Sequence, residues 1–104
     1  MKALVAQALT GTDGLAYIDV ADPESADSVI IDVGAAGVCF PDLLLLRGEY
    51  QLKLEPPFIP GMEVAGTVRS APEGSGFAVG RRVSAMSMLG GYAEQVAVQP
   101  TSVV

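Results

Sequence analysis

The chain has 104 residues, half of them hydrophobic and 17% charged, with a formal net charge of −6. A single domain of this length buries roughly two-thirds of its unfolded surface, so it can form one core. The acidic balance argues against nucleic acid and anionic membrane surfaces as partners, because both require a basic face.

The cysteine content and the length of the apolar runs indicate the cellular compartment of the protein. Cys39 has no second cysteine to pair with, so no oxidising compartment is implied. No apolar run approaches the about 18 residues that a membrane span needs. The first residues also lack a signal-peptide core and cleavage site. We therefore predict a cytoplasmic protein that does not bind membranes.

The first third of the chain predicts two antiparallel strands and a third, bent one. Residues 2–9 are apolar and residues 15–20 alternate, with the turn-forming sequence TGTDG between them. Strand-forming sequence resumes at residue 28 and continues to Cys39 through several glycines. Glycines at such positions are typical of a strand that bends at a barrel corner.

The middle of the chain predicts a short helix and a long irregular loop. The helix is expected from Asp42 to Arg47, with Asp42 as its N-cap and Gly48 as its end. Three prolines within residues 56–60 then prevent regular hydrogen-bonded structure.

The last third predicts three more strands, separated by glycine and proline turns, at residues 63–69, 82–86 and 92–98. Short strands at near-regular spacing, with one or two short helices, indicate a mainly β domain. The expected architecture is a small, partly open β-barrel.

Five motifs follow one another after residue 36: GVCFPD at 37–42, RGEY at 47–50, PFIPGMEVAGTV at 57–68, VGRRV at 79–83 and GGYAEQV at 90–96. Together they closely resemble the catalytic domain of the medium-chain dehydrogenase/reductase superfamily. The resemblance is to its zinc-independent branch, which includes the NADPH:quinone oxidoreductases. It implies a GroES-like domain over residues 1–104. It also implies that the nucleotide-binding Rossmann domain of these enzymes is absent from this chain.

The same resemblance implies NADP as the cofactor, bound through the missing Rossmann domain, and a homodimer in the full-length enzyme. The residues that choose between NADPH and NADH would lie outside this chain. The glycine pattern at 34–37 lies inside strand-like sequence and opens no long helix. We therefore do not interpret it as a dinucleotide-binding fingerprint.

Zinc is the first chemistry to test, because Cys39 stands where the resembling zinc-dependent alcohol dehydrogenases carry their first catalytic ligand. Those enzymes have a histidine at the position of Met62, and this chain contains no histidine. A thioether is a poor zinc ligand, which leaves only Cys39 with Glu63. Pro41 replaces the hydroxyl residue that serves these enzymes as a proton relay. We predict no metal site.

Cys39 is also a weak candidate for a nucleophile. A catalytic cysteine needs a base or a positive field, and without histidine only a nearby arginine or lysine could supply one. The simpler interpretation is a small buried hydrophobic residue at the end of a strand. No residue is therefore assigned a catalytic role with certainty.

A hydride-transfer cleft needs neither a metal nor a nucleophile from the protein, only an apolar wall and a few polar groups that orient the reactants. Residues of the resembling motifs and their neighbours supply a candidate set. The wall is assigned to Phe40, Tyr50, Met62, Met86 and Leu89, and the orienting groups to Asp42 and Glu63. Cys39 belongs to the same cleft, at a position where the family's quinone reductases usually have asparagine near the nicotinamide.

Each of these assignments has a structural alternative. Asp42 can act only as a helix cap, and Tyr50 can act as a packing lid. Met86 and Leu89 can belong to the core, and Glu63 can pair with an arginine.

For the full-length enzyme, the resemblance predicts direct hydride transfer from NADPH to a quinone or a similar conjugated carbonyl. The isolated domain is predicted to be inactive. A zinc-free reductase of enoyl thioesters is the alternative within the superfamily, since the same motifs serve there. A non-enzymatic alternative is a co-chaperonin ring subunit, which would require a mobile apolar loop and a stable heptamer.

Overall fold

The computed structural model describes all 104 residues, and six β-strands and one α-helix account for its regular structure. In chain order the elements are β1 (Lys2–Ala6), β2 (Leu15–Asp19), β3 (Val29–Ala36), α1 (Phe40–Arg47), β4 (Glu63–Ser70), β5 (Arg82–Met86) and β6 (Gln95–Val98). Short 3-10 turns lie at Thr12–Gly14 and Pro100–Ser102. The predicted mainly β fold is confirmed. None of the helices has the length and apolar character to cross a membrane.

The two N-terminal strands form an antiparallel hairpin, as predicted. Leu4 of β1 lies opposite Tyr17 of β2, and the 3-10 turn connects the strands. Gly14 closes this connection, because a Cβ there would meet the carbonyl oxygen of Ala8. A side chain at that position would force the hairpin apart.

The other four strands form one antiparallel sheet in the order β5-β4-β3-β6. Strands β5 and β6 bury alternate residues, which is the period expected when one face of a sheet packs and the other meets solvent. The central strand β3 instead begins with three consecutive buried residues, Val29–Ile31. The core on that face is made of Val29, Ile31, Val64, Val68, Val83, Ala85, Val96, Val98 and Val103. Burying each such side chain contributes about 1.5–3 kcal/mol, so this small-residue core depends on many modest contributions.

The predicted bend in β3 is present, but the strand is shorter than expected. The β3–β4 register shifts between Val33 and Ala35, which places a bulge at Gly34. Across from it, a Cβ at Gly66 would overlap the carbonyl oxygen of Asp32, so the two backbones approach as only glycine permits. The strand ends at Ala36 rather than at Cys39.

The last strand also begins later than predicted, at Gln95 instead of residue 92. The intervening residues pair with β1 instead: Leu4 N–H donates to the Tyr92 carbonyl at 2.8 Å, and Glu94 N–H donates to the Lys2 carbonyl at 3.1 Å. Residues 92–94 therefore connect the hairpin to the larger sheet.

The two sheets do not close into a barrel, which agrees with the expected partly open form. Isolated bridges at Ala3–Ala93 and Ala6–Phe58 attach the hairpin to the rest of the domain. At the outer edge of β5, Ser84 and Val104 exchange both backbone hydrogen bonds, at 3.1 and 2.8 Å. The last residues thus cover one edge of the four-stranded sheet.

Candidate functional site

The N-terminus of α1 is the best-defined polar feature of the domain. Cys39, with extended backbone angles, is the N-cap, and Asp42 is the third helical residue. The Asp42 carboxylate accepts the Cys39 backbone N–H at 3.0 Å, as in a capping box. The prediction that Asp42 is the N-cap was therefore wrong. The helix starts earlier because Pro41 sits in its first turn, where a missing N–H needs no partner.

Three donors converge on one oxygen of Asp42. Besides the Cys39 N–H, its Oδ2 accepts the Tyr92 hydroxyl at 2.7 Å and the Cys39 thiol at 3.3 Å. Asp42 is only 1% exposed, and its other oxygen, Oδ1, is buried without a partner. Hydrogen bonds to a carboxylate are stronger than those between neutral groups, so this cluster links α1 firmly to the segment before β6.

Sequence reasoning missed Tyr92, which it placed only at the start of a strand. Two glycine loops bring it under α1. A Cβ on Gly61 would lie 2.7 Å from both Gly91 Cα and Tyr92 N, and Tyr92 N–H donates to the Pro60 carbonyl at 3.0 Å. The available signal was the glycine pairs in PFIPGMEVAG and GGYAEQV, which indicate close backbone packing but name no partner.

The cluster keeps both of its titratable donors protonated. Burial, followed by the hydrogen bond to Asp42 and the Asp42 charge, raises the pKa of Tyr92 above the usual range of tyrosine. Burial likewise raises the pKa of Cys39, and the Asp42 hydrogen bond and the charges of Asp42 and Glu63 add to that effect. A neutral thiol beside two carboxylates does not suit a nucleophile, which supports the structural interpretation of Cys39.

Three chain segments lie side by side next to this cluster. Gly37 N–H donates to the Glu63 carbonyl at 2.9 Å, and Ser87 N–H donates to the Met62 carbonyl at 2.7 Å. Glu63 also lies directly opposite Met86 in the β4–β5 pair. The segments 37–40, 61–63 and 86–88 therefore form one end of the domain.

This end carries four exposed apolar side chains, which we call the apolar rim. They are Val38 at 78%, Phe40 at 68%, Met86 at 62% and Met88 at 65% exposure. Exposed large apolar residues that cluster in this way mark surfaces that contact something else. Two of the four, Phe40 and Met86, were predicted as cleft residues from the sequence.

A shallow cleft of about 470 Å³ opens beside the rim, where β3, β4 and β5 approach their ends. Glu63 and Met86 border it, and its floor consists of the small residues Ala35, Ala65 and Ser84. Glu63 is exposed and makes no ion pair with an arginine or a lysine. Glu63 is thus the free charged group of this cleft.

Two predicted site residues, Leu89 and Tyr50, do not border the cleft beside Glu63. Leu89 instead lines a smaller cleft together with Met86 and Met88 of the rim, and it also borders an apolar groove of about 450 Å³ on the side of the β1–β2 hairpin. Tyr50 is half-buried in the loop after α1, and its hydroxyl makes no hydrogen bond to the Asp42 cluster. The structure therefore brings together Cys39, Phe40, Asp42, Met62, Glu63 and Met86.

No group of three or more histidine, cysteine, aspartate or glutamate side chains is placed to hold a metal ion. Met62 occupies the loop position at which the resembling zinc enzymes have histidine, next to Glu63. The metal-free site remains a prediction.

The family model for the alcohol dehydrogenase GroES-like domain matches residues 25–104. The chain belongs to this family. The match covers every element from β3 onward, which confirms the resemblance to medium-chain dehydrogenases/reductases drawn from the motifs.

Similar structures and relatives agree with this placement. A probable oxidoreductase from Mycobacterium abscessus is 59% identical, with a TM-score of 0.98, over 100% of this chain and 34% of its own. The quinone oxidoreductase from Thermus thermophilus is 40% identical, with a TM-score of 0.84, over 100% of this chain and 32% of its own. The acryloyl-coenzyme A reductase of Sulfurisphaera tokodaii is 40% identical over 80% of this chain and 25% of its own. The chain spans about a quarter of the length of the curated relatives it matches.

Proposed function

We propose that this chain is the substrate-side domain of a zinc-independent oxidoreductase that transfers a hydride from NADPH to a quinone or a similar conjugated carbonyl. The observation that carries the proposal is the apolar rim beside the buried Asp42 cluster. The site offers an exposed apolar surface and a neutral thiol, and it has no basic side chain among the predicted residues. Such a surface suits a reaction in which the protein positions flat, uncharged reactants.

Each part of the site has a place in that reaction. NADPH, when bound, supplies the hydride and its electron pair. Phe40 and Met86 offer apolar surface to the acceptor ring, and their exposure leaves room for it. Closure of this surface against a second domain would exclude water from the reacting atoms. Glu63, at the border of the cleft, is the group that can orient a polar end of the acceptor.

The phosphates of the cofactor find no site in this chain. The Gly37 N–H, at the end of the glycine pattern, already donates to the Glu63 carbonyl, and the helix that follows has only eight residues. The residues present therefore fit only the reacting end of the cofactor. We propose that NADPH is bound mainly by a nucleotide-binding domain of a longer, homodimeric protein. The NADPH complex described for the quinone oxidoreductase from Thermus thermophilus supports this choice.

The length of the native polypeptide is the first test. Its intact mass, measured on protein from the source organism, is expected to be well above 10.7 kDa. NADPH oxidation by that protein should then depend on added quinone, while the 104-residue chain alone should be inactive. A native mass of 10.7 kDa would overturn the proposal, and so would a heptameric ring of the purified chain in size-exclusion chromatography.

A reductase of enoyl thioesters is the second candidate, favoured by the similarity to the acryloyl-coenzyme A reductase. Both candidates add a hydride to a conjugated carbonyl, so they differ in the acceptor and not in the chemistry of this domain. Parallel assays with a quinone and with an acryloyl thioester separate them. The larger kcat/KM identifies the acceptor class.

A further inference from the structure

The proposed acceptors are reactive toward thiols. A thiolate sulfur adds to the β-carbon of a conjugated carbonyl, the π electron pair moves toward the carbonyl oxygen, and the α-carbon takes up the proton that the thiol lost. No oxidant is consumed. Cys39, the only cysteine, is partly exposed between the exposed Val38 and Phe40 of the rim. A site that binds such an acceptor therefore holds a thiol that the acceptor can alkylate.

The position of Cys39 at the N-terminus of the helix would by itself increase the reactivity of its thiol toward the acceptor. A cysteine at a helix N-terminus is normally activated, because the helix dipole and the free N–H groups stabilise the thiolate. Cys39 is the N-cap of α1, so the dipole acts on it in this direction. Some other feature has to oppose that effect if the thiol is to remain unreactive.

Burial of the thiol opposes the effect of the dipole, and the carboxylate of Asp42 adds to that opposition. The Cys39 S–H points at Asp42 Oδ2 at 3.3 Å, so a thiolate at this place would face a negative charge. The Tyr92 hydroxyl at 2.7 Å and the Cys39 N–H at 3.0 Å hold the same oxygen in position. The titratable groups that act on the sulfur are Asp42 and Glu63, and Tyr92 completes the cluster as a neutral donor. None of them is cationic.

We propose that Asp42 is a positioning residue that holds the Cys39 thiol protonated and so protects the site from alkylation by its own electrophilic acceptor. The identity of the acceptor rests on the proposed function. The position of the Asp42 carboxylate beside the Cys39 thiol is independent of the proposed function, because it is a feature of the structure of this chain.

The test is the second-order rate of Cys39 alkylation by N-ethylmaleimide, itself a conjugated carbonyl, followed by intact mass across the titration range of the thiol. For Asp42→Asn we expect faster alkylation at neutral pH and a profile displaced to lower pH. We expect alkylation to be about threefold faster, since the gain in thiolate exceeds the loss in nucleophilicity when the pKa of a thiol falls. Circular dichroism checks that the variant is folded.

Glu73→Gln is the matched control. Glu73 is exposed in a turn more than thirty residues after Cys39, and its replacement changes the net charge by the same amount as Asp42→Asn. Its alkylation rate should equal that of the unchanged chain. An unchanged rate in folded Asp42→Asn would overturn the proposal.

The unchanged chain provides a second measurement that does not depend on how a variant folds. Its pH profile should inflect at higher pH than that of N-acetylcysteinamide, a cysteine without a free carboxylate, under the same conditions. An inflection at or below that of N-acetylcysteinamide would overturn the proposal. Both measurements omit NADPH, so a failure of the proposed function would appear only in the turnover assays and not here.

Discussion

Asp42 and Asp32 each accept a hydrogen bond of 2.7 Å, one from the Tyr92 hydroxyl and the other from the Arg69 guanidinium. Their surroundings differ completely. Asp42 is 1% exposed and joins segments fifty residues apart, whereas the side chains of Arg69 and Asp32 are 56% and 43% exposed on neighbouring strands. Water reaches the Asp32 carboxylate freely, whereas the Asp42 carboxylate is almost entirely shielded from it. The equal distances therefore conceal unequal contributions to the free energy of unfolding, and burial decides between them.

Gly61→Ala should disturb the Asp42 region most, because it separates the two loops that bring Tyr92 under α1. Gly61 has φ of 111°, and a Cβ there would lie 2.7 Å from the backbone of Gly91 and Tyr92. A left-handed alanine and a backbone overlap together should lower the free energy of unfolding by about 3 kcal/mol or more. Urea denaturation measures the change.

Gly74→Ala is the control for this substitution. Gly74 also has a positive φ, of 78°, but nothing lies within 4 Å of a Cβ at that position. The difference in the free energy of unfolding between the two variants therefore separates the cost of the overlap with Gly91 and Tyr92 from the cost of placing an alanine at positive φ. Equal losses would contradict the role given to the Gly61–Gly91 contact.

Asp42→Ala should have the next largest effect, since it removes the acceptor and leaves the Tyr92 hydroxyl and the Cys39 N–H unpaired. Each donor left unsatisfied in a buried place costs about 1–3 kcal/mol, and we expect a total loss of about 2–4 kcal/mol. Asp42→Asn should lose less, because the amide oxygen can still accept. Thermal unfolding of both variants measures this order, and equal losses would argue that the charge of Asp42, and not its capacity to accept, stabilises the cluster.

Tyr92→Phe removes one donor and keeps the ring, so its effect at neutral pH should be smaller, about 1–2 kcal/mol. The variant should also change the response to alkali. The pKa of Tyr92 is raised in the folded chain, so the folded state retains a proton that the unfolded state releases above about pH 10. The contribution of Tyr92 to the free energy of unfolding is therefore fully present below about pH 10, and it is lost as the pH rises further toward the pKa of the folded state.

The measurement is the midpoint of urea unfolding as a function of alkaline pH. The unchanged chain should lose stability more steeply than Tyr92→Phe, which has no phenol at this position to deprotonate. Parallel curves would show that Tyr92 ionises equally in both states and does not depend on the Asp42 cluster.

The features that the sequence predicts correctly depend on contacts between residues close in the chain, and those that it misses depend on contacts between distant residues. The hairpin, β4 and β5 follow from alternation and turn residues within a few positions, and they lie where expected, except that β1 ends at Ala6 rather than at residue 9. The predicted start of α1 was two residues too late, because the N-cap is Cys39 and cysteine is not a residue type that indicates a cap. Tyr92 was missed because its partner lies fifty residues away. Leu89 was placed in the cleft with its neighbour Met86, and the two do line one small cleft, but it is not the cleft that Glu63 borders.

Asp32→Asn is the smallest expected effect and the direct counterpart of Asp42→Asn. It breaks the Asp32–Arg69 ion pair, but both side chains remain in water, where their solvation replaces the lost attraction. We expect the unfolding midpoint to stay within measurement error at physiological salt and to move slightly at low salt, where screening is weaker. A loss as large as that of Asp42→Asn would contradict the argument from burial, because the two substitutions make the same chemical change at hydrogen bonds of equal length. The exposure of the carboxylate would then not be the property that separates these two sites.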